Sequence, residues 1–141
     1  MRRRNGIKGK LLYILNIVLP LLIGLFIYIN CRPNSYIALM TSSVIGLREH
    51  YYTLPPIINN YVPDYMWAYA LMFVVYRVVG IYKRNIRASI CISIVFSVLT
   101  ELFQLFQSNI FTFDGMDIAV EIMAITMASI VIKLIEREGK I

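Results

Sequence analysis

Six of the eight acidic residues, Glu49, Asp64, Glu101, Asp114, Asp117 and Glu121, fall within or between long apolar runs. A carboxylate is costly against lipid, so at membrane depth it normally faces a bundle interior or a water-filled cavity and marks a functional site. Two such groups held close can share a proton and do acid/base work. They also offer hard oxygen ligands, suited to Mg²⁺ or Ca²⁺ rather than to thiolate-bound metals. Glu101 and Gln104 stand at i and i+3, and Asp117 and Glu121 at i and i+4, so each pair shares a helix face. Glu101, Gln104, Asp117 and Glu121 are the candidate catalytic set. Asp64, Trp67, Tyr69 and Asp114 are the candidate substrate-binding residues. The single His, His50, makes a His-based zinc site a poor fit, and no Ser/His or Cys/His pattern points to a hydrolase.

These residues must be positioned by a membrane fold. The chain has 141 residues, of which 59% are apolar and only 16% charged, and mean hydropathy is +0.68. A soluble domain this small cannot hide so much apolar surface. A helix needs about 20 mostly apolar residues to cross a bilayer. Residues 11–29, 62–82, 88–106 and 116–134 meet that need, the second and fourth with charges near their ends. The chain reads as a single all-α membrane domain, a four-transmembrane-helix bundle. Residues 36–47 are apolar but too short to cross, so the first outer loop is expected to hold an interfacial or re-entrant segment. Cys31 and Cys91 fall on opposite sides and cannot pair.

Twelve of the fourteen Lys and Arg residues lie in the N-terminal tail, the turn between spans two and three, and the C-terminal tail. Only Arg32 and Arg48 remain for the other side. By the positive-inside rule both termini are cytoplasmic. The net charge of +6 thus reports topology, not nucleic-acid binding. Span three then runs outward and span four inward. Glu101 falls about 9 Å below the outer end of its helix and Glu121 about 10 Å below its own. The short connection between the spans makes them antiparallel neighbours, so the two glutamates reach similar depth. The tyrosines near this side, Tyr28 among them, read as an aromatic belt, and Trp67 as an interface anchor or a substrate platform. Plainer roles compete. Asp114 suits an N-cap, Asp117 the first turn of span four, and Asp64 the start of span two. Glu101 and Gln104 also suit an interhelical hydrogen-bond clamp.

The sequence Thr100-Glu101-Leu102-Phe103-Gln104, followed by Thr112-Phe113-Asp114-Gly115-Met116-Asp117-Ile118, resembles the VanZ-like family of bacterial membrane proteins. That family pairs Glu-x-x-Gln with Asp-x-x-Asp opening the last helix. Val62-Pro63-Asp64-Tyr65-Met66-Trp67-Ala68-Tyr69 is similar to its Pro-Asp-Lys-x-x-His-x-x-Tyr region. The resemblance covers about residues 54–134. Departures are Trp67 in place of His, Glu121 near a usual Asn, Ala124 near a usual Gly, and no Arg before Asp114. The resemblance implies a bacterial inner-membrane, cell-envelope context and names no reaction.

Three functions are expected to compete for the outward-facing carboxylate/Gln site. It binds or modifies an envelope lipid or glycan precursor. It serves a small proton- or cation-coupled transporter, which in four spans calls for a homo-oligomer. Or it belongs to a non-catalytic scaffold or regulator whose polar groups clamp helices. Whether the chain is an enzyme stays open at this point.

Overall fold

An apolar segment has nothing but its own backbone to satisfy its N–H and C=O groups in lipid, and an α-helix is the local solution. A computed structural model describes residues 2–32, 52–80, 85–106 and 115–138, and they form four helices and no strand. Helix α1 (Arg2–Cys31) runs on through Pro20. Helix α2 (Pro56–Val79) opens on Pro55 and Pro56, where a missing N–H costs nothing, and contains Pro63. Helix α3 (Ile86–Phe106) is capped by Asn85, whose Oδ1 accepts from the Ala88 N–H at 3.2 Å. Helix α4 (Gly115–Glu138) carries Asp117 in its first turn, where the helix dipole favours an acid. The proposed surface or re-entrant segment at 36–47 lies outside the described residues.

Contacts set the directions. Tyr28 meets Asp64 and Tyr13 meets Phe73, so α1 and α2 are antiparallel. Ser93 meets Met72, and Ser97 meets Glu121, so α3 packs beside both α2 and α4, and the short connections at its two ends make it antiparallel to each. The result is an up-down-up-down bundle with α2 at its centre. That helix touches all three others, most extensively α1 and α4, whereas α1 does not touch α3. The α3 and α4 helices, expected as antiparallel neighbours, do touch, though less extensively than α2 and α4. The reason is compositional. Ala68 on α2 and Ala124 and Ala128 on α4 let those two backbones approach, and Met72, Phe73, Tyr76, Ile125 and Ile132 fill the core between them.

Three stretches are long and apolar enough to cross a membrane: Gly9–Cys31, Ile86–Phe103 and Gly115–Arg137. They carry an outward belt of Leu11, Ile14, Leu22, Val95, Leu99 and Ile130, which suits lipid contact. Helix α2 is as long but more polar, with Asn59, Asn60, Asp64 and Arg77. A helix wrapped by three others exposes less of itself to lipid and tolerates that composition. The cysteines are both free, Cys31 buried and Cys91 exposed.

Candidate functional site

Asp64 does not cap α2. The helix begins eight residues earlier, with Pro55 at the N-cap, and Pro63 sits in its interior. Proline has no N–H to give the carbonyl four residues back, which here is Asn59. Arg32, one residue past the end of α1, replaces it. Its Nε donates to the Asn59 carbonyl at 2.8 Å and an Nη to the Asn60 carbonyl at 2.6 Å. The same guanidinium lies 4.8 Å from the centre of the Tyr28 ring and attracts the Asp64 carboxylate. The Tyr28 hydroxyl donates to Asp64 Oδ1 at 3.1 Å. Pro63, Asp64, Tyr28 and Arg32 thus form one local device. The proline breaks the ladder, the arginine repairs it, and the acid between them is held by a phenol and a cation.

Helix α3 brings a polar stripe to the same end. Ser89, Ser93, Ser97 and Glu101 recur every fourth residue and are all buried. The Ser93 hydroxyl meets Met72 Sδ at 3.6 Å. The Ser97 hydroxyl donates to the Glu121 carboxylate of α4. Glu101 is 3% exposed and Glu121 9%. Glu121 Oε2 is shielded from solvent and accepts no hydrogen bond among the described residues. Asp64 and Asp117 stand close enough to Glu121 for their charges to act on it, and Asp117 acts on Tyr28 as well. All four helices therefore contribute to one end: Tyr28 and Arg32 from α1, Asp64 from α2, Ser97 and Glu101 from α3, Asp117 and Glu121 from α4.

The remaining candidates fall elsewhere. Tyr69 lies about 7.5 Å along α2 from Asp64. Its hydroxyl donates to Asn16 Oδ1 at 2.7 Å, and its ring packs 5.3 Å from Phe73. It belongs to the α1–α2 packing rather than to the acid cluster. Trp67 is 43% exposed, and its indole covers Gly24 of α1. A Cβ at position 24 would lie 2.8 Å from Trp67 Nε1, so only glycine admits the ring there. Gln104 lies in α3; its side chain, and Asp114 altogether, are outside the described residues. Among the described residues, no group of three or more His, Cys, Asp and Glu could hold a metal ion.

No protein-family model, curated protein or solved structure matches this chain. The site thus stands on its own chemistry. Two of its parts went unread in the sequence. The serine stripe had a signal, its spacing of four leading directly to Glu101. Arg32 had a weaker one, being one of only two cations assigned to that side. Tyr28 was read only as part of an aromatic belt, and its hydroxyl also donates a hydrogen bond to Asp64.

Proposed function

We propose that this chain is a four-span protein of the bacterial cytoplasmic membrane whose acidic end faces outward and binds the polar head of an envelope lipid or lipid-linked glycan precursor. The observation that carries this reading is the meeting of charged groups from all four helices at one end, partly sheltered by the bundle. Among the described residues, four carboxylates against one guanidinium make an acceptor-rich site. It suits ligands that donate, such as sugar hydroxyls and amines, and repels a bare phosphate. The residue pattern shared with the VanZ-like family supports an envelope context, and the placement of the basic residues supports cytoplasmic termini.

The runner-up is a non-catalytic scaffold, favoured by the Ser97–Glu121 hydrogen bond that ties α3 to α4. Native mass spectrometry separates the two. Wild type, Asp64→Asn and Glu121→Gln are released from nanodiscs containing phosphatidylethanolamine or a polyprenyl-linked disaccharide precursor. Loss of a retained adduct in both variants, with the fold kept, supports binding at this end. Equal retention by all three proteins removes it.

A further inference from the structure

The opposite end carries a feature that the acidic site does not use. Arg77 lies in the last turn of α2, exposed, with its guanidinium 5.6 Å from the centre of the Tyr13 ring of α1. Tyr13 is itself held edge-on against Phe73, with centroids 5.6 Å apart. Lys10 precedes Tyr13 by three residues, so it shares that face of α1, and it too is exposed. Among the described residues neither Lys10 nor Arg77 pairs with a carboxylate. Glu136 stands on α4, which α1 barely touches. Arg77 thus rests on the Tyr13 ring at the seam between two helices, and Lys10 stands one turn away on the same face of α1.

The surroundings of that seam are apolar. Leu11 and Ile14 on α1, and Val74 and Val78 on α2, are all exposed beside the cations. A guanidinium resting on a ring is held in place while its N–H fork stays free for a phosphate. We propose that the basic ends of α1 and α2 form a binding site for the phosphate headgroup of an anionic phospholipid, with Arg77 as the anchor, Lys10 as the second contact, and the acyl chains lying along the exposed aliphatic belt. Basic niches between membrane helices bind anionic headgroups for these reasons. The site depends only on the chain lying in a bilayer and is independent of what the acidic end binds.

The test uses the full chain in neutral detergent, titrated with phosphatidylglycerol, with phosphatidylcholine and with inorganic phosphate, and read by thermal stability and native mass spectrometry. Phosphatidylglycerol is expected to stabilise wild type and the other two probes are not. Arg77→Gln should weaken apparent phosphatidylglycerol affinity about tenfold, and Lys10→Gln by less. Arg77→Lys keeps the charge without the fork and guards against a folding defect in the Gln variant; it should lie between wild type and Arg77→Gln. Arg87→Gln, on the helix that does not touch α1, should bind like wild type. The proposal is overturned if Arg77→Gln and Arg77→Lys both bind like wild type. It is equally overturned if Arg87→Gln is as weak as Arg77→Gln, or if inorganic phosphate stabilises as well as the lipid does.

Discussion

The two ends of the bundle handle charge in opposite ways. At the basic end the charges point out: Lys10, Arg77, Arg87, Lys133 and Arg137 are exposed, and the interior beneath them is Phe73, Tyr76 and Ile132. At the acidic end Glu101 and Glu121 are buried, and Asp64 and Asp117 are half-buried. Exposed cations next to headgroups are cheap. Buried carboxylates are expensive, and replacing them with apolar residues is often neutral or stabilising for the fold. The basic half is therefore packed for stability. The acidic end spends stability on something else, and a binding site is the simplest account of it.

Substitutions at five positions probe that contrast, measured by denaturation of the protein in lipid nanodiscs or bicelles. Phe73→Ala should be the most damaging, by about 3–5 kcal/mol, because it opens a cavity in the fully packed core. Arg32→Gln should cost about 2–3 kcal/mol, since it strips charged donors from the Asn59 and Asn60 carbonyls and the cation from Asp64. Arg32→Lys should recover only part of that, lacking the fork. Gly24→Ala should cost about 1–3 kcal/mol, as the new methyl drives Trp67 off α1. Tyr69→Phe should cost about 1 kcal/mol through the lost bond to Asn16, with no effect on any ligand of the acidic end. Arg137→Gln should fall within about 0.5 kcal/mol of wild type. If Arg32→Gln proved as mild as Arg137→Gln, the repair of the proline break would be wrong and the two ends would be alike.

The helices were legible because lipid imposes long apolar runs, and 88–106 and 116–134 agree with α3 and α4 to within a few residues. Span two was placed too late, at 62 rather than Pro56. Pro63 stands beside that expected start, and a proline in a helix interior normally breaks it. What makes it tolerable is Arg32, 31 residues away in sequence, and no local pattern announces that contact. Asp64 was misread as a candidate cap for the same reason. The i, i+4 spacing of Asp117 and Glu121 is a local property and was legible. Tyr69 was assigned to the site by motif position, yet five residues along a helix carry a side chain about 7.5 Å and round to the face that meets Asn16.

The most direct test compares stability and ligand retention in the Glu101→Gln/Glu121→Gln protein. Amides keep hydrogen-bonding capacity and remove the charge. The account predicts a fold as stable as wild type or more so, within about 1 kcal/mol if weaker, together with loss of the phosphatidylethanolamine or precursor adduct. A double variant that loses several kcal/mol of stability while retaining those ligands like wild type would contradict it and make the glutamates a helix clamp.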